Sequence, residues 1–185
     1  METKKRKYEL TDEVQYGCEG GLFENPDMIP EGRKRTPVYR IRALVDIPGI
    51  VEKGELGGFV GSDKNLSHTG HAWVANDAAV WGDNTKISRN AIASVETSVY
   101  NGSQMKGNAL ATGSSRINNS IMEGNAKYRN AAIKDMALSG TDTFLNCVAD
   151  IKTLALQRQE KQQQKAQVKS LAPKKIQTKD NGVER

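Results

Sequence analysis

The residues of this sequence best suited to proton-transfer chemistry are two histidines, His68 and His71, which stand three positions apart. A histidine can act as a general base near neutral pH because its unperturbed pKa lies at about 6.5. Both residues also suit a second interpretation, as turn or capping residues, because the sequence shows no obvious partner for either ring. His68 and His71 are therefore the candidate catalytic residues, with a purely structural role as the alternative.

Other reactive side chains do not form a recognisable constellation. No Ser-His-Asp arrangement has a supporting spacing, and the carboxylates between residues 72 and 148 fall at corners or outward positions of the repeat described below. The two cysteines, Cys18 and Cys147, are far apart and belong to no CxxC motif, so we expect reduced thiols and not a zinc site. We expect no metal and no resident cofactor.

A short repeated unit spans Ala72 to Val148 and must position any site in this chain. Each unit opens with a small residue, places a mostly aliphatic residue two positions later, and closes on Gly, Asn or Asp. Most units have six residues, two have five, and Asn84 is one inserted residue. The units begin at Ala72, Ala78, Thr85, Ala91, Thr97, Ser103, Ala109, Ser115, Ser120, Ala126, Ala131, Ala137 and Thr143.

This spacing predicts a coil of short strands. Residues two apart share one face of a strand, so the first and third positions of each unit should point inward. Gly and Asn at the unit ends tolerate the positive φ of a sharp corner. Three units per turn give a triangular prism of about four coils, with asparagines stacked in ladders near its corners.

The pattern resembles the hexapeptide-repeat superfamily, which forms single-stranded left-handed parallel β-helices. The segments Y39-R-I-R-A-L, G54-E-L-G-G-F-V, N65-L-S and W73-V are similar to the YdcK-like branch of bacterial and prophage proteins. That resemblance covers roughly residues 8–148 and implies an all-β fold with a small N-terminal β cap. A right-handed pentapeptide-repeat helix is the alternative, which the prevailing six-residue period disfavours.

The chain divides into three predicted parts: an N-terminal β cap with an irregular loop (1–65), the β-helix (66–148), and a basic α-helical tail with a disordered end (149–185). In the cap, an alternating strand over Val38–Ile47 should pair with a strand beginning at Tyr8. The glycine-rich run Gly54–Gly61 should form a tight cap over the first coil. The tail, rich in Gln, Lys, Ala and Leu, favours a helix.

The resemblance also implies an activity. Hexapeptide-repeat acyltransferases use a histidine base beside acyl-CoA at a cleft between subunits of a trimer, so His68 or His71 would deprotonate the acceptor and acetyl-CoA would be the acyl donor. Such enzymes often extrude a loop from one coil, whereas only Asn84 interrupts this repeat. An almost uninterrupted repeat favours a non-enzymatic scaffold instead.

Binding surfaces are expected at two places. Trp73 and Trp81 occupy outward unit positions and are candidate partner contacts. The tail carries nine basic and four acidic residues over 150–185, which equals the chain's net charge of +5, and its candidate contacts are Arg158, Lys161 and Lys165. Together with the basic arm 1–7, these residues make nucleic-acid binding a further alternative.

The function predicted first is a cytoplasmic scaffold of bacterial or phage origin that binds a macromolecular partner through flat solenoid faces. The alternatives are the acyltransferase and the nucleic-acid-binding protein. A homotrimer is plausible because flat prism faces pack well. No run of apolar residues is long enough to cross a membrane, and we expect no secretory signal because no apolar stretch follows the basic residues 4–7.

Overall fold

The computed structural model describes residues 5–19, 21–146 and 148–150. This part is nearly all β, with eighteen strands and one short 3-10 helix, Pro26–Met28. In chain order the strands are β1 Tyr8–Cys18, β2 Gly21–Phe23, β3 Thr36–Ala43, β4 Leu56–Val60, β5 Trp73–Val74, β6 Ala79–Val80, β7 Lys86–Ile87, β8 Ile92–Ala93, β9 Ser98–Tyr100, β10 Gln104–Met105, β11 Leu110–Thr112, β12 Arg116–Asn118, β13 Ile121–Met122, β14 Lys127–Arg129, β15 Ala132–Lys134, β16 Ala137–Leu138, β17 Thr143–Leu145 and β18 Val148–Asp150.

The short strands stack in parallel into a three-sided β-solenoid, which confirms the predicted fold class. One face contains β7, β10, β13 and β16, and a second contains β5, β8, β11, β14 and β17. The third continues from β4 through β6, β9, β12, β15 and β18. The five strands of the second face correspond to about five turns, one more than the sequence predicts.

The predicted inward positions are confirmed for the first eleven units. All their first and third residues are buried, from Ala72 and Val74 to Ala131 and Ile133. A small residue fits near each corner, and an aliphatic residue fills the adjoining face of the narrow core. The repeat therefore determines the core of the solenoid directly.

The predicted register is wrong by one residue in the last two units. Ala137 is exposed, whereas its neighbours Met136 and Leu138 are buried. In the next turn, Phe144 stacks on the core residue Tyr128 with ring centroids 5.4 Å apart, and Leu145 points to solvent. The unit that begins at Ala131 therefore has five residues and not the predicted six, which moves the inward positions of the following units by one. The strand pairing shows the same register, because Leu138 stacks on Met122 and Phe144 on Tyr128.

Hydroxyls at the inward corners join successive coils. The Ser103 hydroxyl donates to the Tyr100 carbonyl at 2.6 Å and accepts the Ser120 amide at 3.1 Å. One coil further on, the Ser120 hydroxyl donates to the Asn118 carbonyl and accepts the Met136 amide at 3.1 Å. Serine at these positions therefore satisfies buried backbone groups that alanine would leave without this partner.

Asparagine side chains on the solvent-exposed side of the corners form the predicted ladders. Asn90 donates to Asn108, and Asn108 donates to Asn125, both at 3.0 Å. Two further amide pairs are Asn101–Asn118 and Asn130–Asn146. Several corner residues, including Asn101 and Asn130, have positive φ, which asparagine tolerates better than most residues.

The N-terminal cap is an antiparallel extension of one solenoid face. The expected pairing of the Tyr8 strand with the Val38 strand is confirmed, because β1 pairs antiparallel with β3. The run predicted as a tight cap contains a strand, β4, which pairs antiparallel with β3 and parallel with β6. Gly57 permits this junction, because a Cβ there would lie 2.6 Å from the Val74 carbonyl oxygen.

The C-terminal boundary differs slightly from the prediction. Ala149 and Asp150 belong to β18, which pairs with β15, and not to a helix. The remainder of the predicted helical tail, 151–185, lies outside the described residues. Within the described part, the structure has no helix of the length and apolar character needed to span a membrane.

Candidate functional site

His68 lies in the packed contact between the N-terminal arm and the first coil. Its ring stacks on Tyr8, with centroids 4.3 Å apart and planes 21° from parallel. Nδ1 accepts a hydrogen bond from the Lys7 backbone N–H at 3.2 Å, and Nε2 lies 3.8 Å from Asp63 Oδ1. The side chain is only 20% exposed. His68 therefore contacts the cap through both ring nitrogens and one ring face.

These contacts restrict the chemistry of His68. When Nδ1 accepts the Lys7 amide, the proton of a neutral imidazole resides on Nε2, which faces Asp63. A general base needs an unprotonated nitrogen within hydrogen-bond reach of the acceptor's proton. In this arrangement Nδ1 is occupied by the Lys7 amide and Nε2 is directed toward Asp63, and these contacts favour a structural role for His68.

Lys7 and Tyr8, which contact His68, also attach the N-terminal arm to the first coil. Lys7 is 4% exposed, and its ammonium donates to the Ala72 carbonyl at 2.5 Å and to the Gly70 carbonyl at 3.4 Å. Burial lowers the pKa of Lys7 to about 8. The Tyr8 hydroxyl donates to the Leu66 carbonyl at 3.0 Å, and desolvation, assisted by Asp63, raises the pKa of that phenol. These polar groups attach the arm to the otherwise open first coil.

His71 occupies a different place from His68. It is exposed at the corner where the asparagine ladder begins, and its backbone N–H donates to Asn90 Oδ1 at 3.4 Å. Within the described part of the chain, its ring has no carboxylate within ion-pair distance. The two histidines predicted as alternative bases therefore belong to separate structural features, the cap and the corner ladder.

The expectation that Trp73 and Trp81 are exposed is wrong. Trp73 is 1% exposed beneath Gly57 and Tyr8, and Trp81 is 4% exposed. Trp81 stacks on Tyr100 at 5.0 Å and lies against Gly17, where a Cβ would come within 2.6 Å of the indole. The cap covers the outer side of the solenoid here, which a period-two pattern cannot reveal.

The N-terminal arm exposes less unpaired positive charge than the sequence suggests. Of its four basic residues, Lys7 is buried and Arg6 forms an ion pair with Asp63. The candidate contacts Arg158, Lys161 and Lys165 lie outside the described residues. Among the described residues, no three His, Cys, Asp or Glu side chains converge to hold a metal ion.

A cleft that the sequence does not predict lies between the cap loop and the first corners of the solenoid. Its volume is about 540 Å³, within the range of small-molecule sites. Arg33 and Lys34 line it from the loop, and Trp81, Asp83 and Tyr100 line it from the solenoid. Asn84, the one inserted residue of the repeat, also lines it and was the available sequence signal.

Cys18, at the edge of this cleft, is a poor candidate for a nucleophile. It is 2% exposed, and burial raises the pKa of its thiol. A thiol that remains protonated is a weak nucleophile. Cys18 therefore does not supply this cleft with the thiolate that cysteine-based covalent catalysis requires.

Comparison of the sequence with protein-family models and with curated proteins finds no match.

Proposed function

We propose that this chain is a non-catalytic β-solenoid scaffold that binds a macromolecular partner through its open faces. The observation that carries the proposal is the contact of His68 Nδ1 with the Lys7 amide, which assigns the more buried candidate base to the cap. His71, the other candidate, lies on a corner ladder with no activating carboxylate among the described residues. These placements support a rigid binding scaffold better than they support an enzyme that uses a histidine as its general base.

The face made by β7, β10, β13 and β16 is the best surface for such binding. Lys86 and Gln104 lie side by side on it, Ile121 is 38% exposed, and Lys106 pairs with Glu123 at 2.8 Å. Consecutive coils place these side chains about 4.8 Å apart on a rigid sheet. Fixed spacing lowers the ordering entropy that a partner must overcome.

The partner hypothesis is tested by affinity capture with paired variants. Tagged full-length protein, Ile121→Glu on the open face and Glu24→Lys on the cap loop are compared in extracts of the source cell. Support is a protein retained by the wild type and by Glu24→Lys but lost with Ile121→Glu. A set of captured proteins that is identical for all three would contradict binding at this face.

The acyltransferase alternative is supported by the sequence resemblance of residues 8–148 to the YdcK-like branch of hexapeptide-repeat proteins. It predicts that acetyl-CoA binds full-length protein in the micromolar range and that His68→Ala or His71→Ala abolishes transfer to an acceptor. It also predicts a homotrimer, with a mass three times the 20.3 kDa of the chain, because its site lies between subunits. Titration calorimetry without heat at millimolar acetyl-CoA, together with a monomeric mass, would favour the scaffold.

The nucleic-acid alternative now depends mainly on the basic segment 150–185, since two cations of the N-terminal arm are engaged by the fold. It predicts that binding to DNA or RNA weakens steeply with salt and is lost when residues 152–185 are removed. Affinity that is unchanged by this truncation would exclude the segment as the binding site.

A further inference from the structure

Two irregular segments of the described fold face each other across the cleft. The inserted corner, Gly82 to Asn84, has positive φ at both of these residues, whereas the flanking units keep a regular period. It faces the long cap loop that contains Arg33 and Lys34 across the 540 Å³ cleft. Departures from a regular repeat are where solenoids add binding features, because the remaining coils only need to stack.

One wall of the cleft is held in place by internal contacts. Arg33 Nη1 donates to the Glu19 carbonyl oxygen at 3.0 Å and to its carboxylate at 3.3 Å. Asn101 Nδ2 lies 3.4 Å from the other oxygen of the same carboxylate. The loop is therefore attached to the solenoid corner, so that this wall is largely formed before any ligand arrives.

Both walls present polar groups that are not engaged elsewhere, Lys34 on the loop and Asp83, Trp81 and Tyr100 on the solenoid. Within the described residues, Asp83 and Lys34 form no ion pair, and neither the Trp81 indole N–H nor the Tyr100 hydroxyl has a hydrogen-bond partner. Trp81 and Tyr100 are both largely buried. Desolvation raises the pKa of Tyr100, so its hydroxyl remains neutral near neutral pH. A ligand in the cleft would meet hydrogen-bond donors (Lys34, Trp81) and an acceptor (Asp83), together with the Tyr100 hydroxyl, which can do both.

The balance of these groups selects the class of ligand. Two cations, Arg33 and Lys34, are matched by two carboxylates, Glu19 and Asp83, so a phosphorylated ligand would meet as much repulsion as attraction. A lipid would leave the charged lining without partners. Hydroxyl groups both donate and accept hydrogen bonds, and they can contact cations and carboxylates in one cleft. We infer that this cleft binds a neutral polyhydroxylated ligand, a saccharide, which goes beyond the proposed scaffold function.

The test uses full-length protein labelled with ¹⁵N, whose two tryptophans give two indole N–H signals. Trp81→Phe assigns the signal of the cleft. The probes are glucose, galactose, mannose, N-acetylglucosamine, maltotriose and chitotriose, each raised to about 50 mM. We expect at least one saccharide to shift the Trp81 signal saturably and to leave the Trp73 signal in place.

Matched variants locate the site. Asp83→Ala should weaken saccharide binding about tenfold or more, as expected for loss of one hydrogen-bonded partner. Lys64→Ala, which changes the adjoining cleft on the other side of the same corner, should keep the affinity within about twofold. Because Asp83 is exposed, Asp83→Ala should keep the fold intact, which an unchanged indole spectrum without ligand would verify.

Three outcomes would overturn the inference. The first is the absence of any Trp81 shift with all six saccharides, and the second is equal binding by wild type and Asp83→Ala. The third is tighter binding of inorganic phosphate or of glycine than of every saccharide, which would assign the cleft to an anion or a zwitterion.

Discussion

The backbone N–H of Lys7 donates to His68 Nδ1 at 3.2 Å, so that a side chain suited to catalysis holds the N-terminal arm on the first coil. A solenoid needs such a closure, because its first coil would otherwise expose unpaired backbone groups and an apolar core.

Removing the His68 ring should destabilise the fold. His68→Ala deletes the acceptor of the Lys7 amide and the stacking partner of Tyr8, and we expect a loss of about 1–3 kcal/mol in the free energy of unfolding. The exposed His71→Ala should change it by less than about 0.5 kcal/mol. Urea denaturation measures both, and equal effects would show that His68 has no special role in the cap.

Stability should rise with pH between about 8 and 10. Burial lowers the pKa of Lys7 to about 8, whereas an unfolded lysine titrates at about 10.4. In this window the unfolded chain binds more protons, so raising the pH favours the folded state, by at most about 3 kcal/mol. Above pH 10 the buried Tyr8 opposes this rise, because its pKa is raised and the unfolded phenol ionises first.

Lys7→Met provides the control for this pH dependence. The methionine keeps an apolar stem but removes the titrating ammonium, so the rise between pH 8 and 10 should largely disappear. Lys64→Met, at an exposed position, should preserve it. Thermal melts of the three proteins at closely spaced pH values give the comparison, and a persistent rise in Lys7→Met would assign it to another group.

The hydroxyl ladder predicts a difference between inner and outer serines. Ser120→Ala leaves the Met136 amide and the Asn118 carbonyl without their side-chain partner, at a cost of about 1–3 kcal/mol. Ser139→Ala, at an exposed position further along the repeat, should change the free energy of unfolding by less than about 0.5 kcal/mol. Similar denaturation midpoints for the two variants would be inconsistent with the ladder.

The junction between cap and solenoid predicts a sharp intolerance at Gly58. An added Cβ would collide with the Ala78 carbonyl oxygen and with the Val74 side chain, so Gly58→Ala must displace β4 or the first coil. We expect a loss of about 3 kcal/mol or more. Gly32→Asn, at a position with φ of 81° and open space, should cost about 1 kcal/mol or less.

Both tryptophans should behave as buried fluorophores. Trp73 and Trp81 are 1% and 4% exposed, so iodide should quench their emission only weakly in the folded protein and strongly after denaturation in urea. Strong quenching of the native protein would mean that the cap does not cover the solenoid in solution. Trp81→Phe identifies which residue contributes any accessible fraction.

The sequence by itself determined the solenoid, because its core is built from local repeats. Small residues at Ala72 and Ala109 and aliphatic ones at Val74 and Ile117 recur with the strand period, and a coil of such units can bury them only by stacking. The asparagine ladder from Asn90 to Asn125 follows from the same period. The antiparallel pairing of β1 with β3 was predictable from the alternation of residues in the β3 segment.

Only the tertiary structure decided what surrounds this core. The register of Met136 and Phe144 is set by the residues stacked below them, since five- and six-residue units are interchangeable in a local pattern. The cap buries Trp73 and Trp81 and engages His68, and the cleft beside Asp83 forms between segments far apart in the chain. Contacts across such long separations carry no periodic signal, so the sequence shows the candidate residues but not their surroundings.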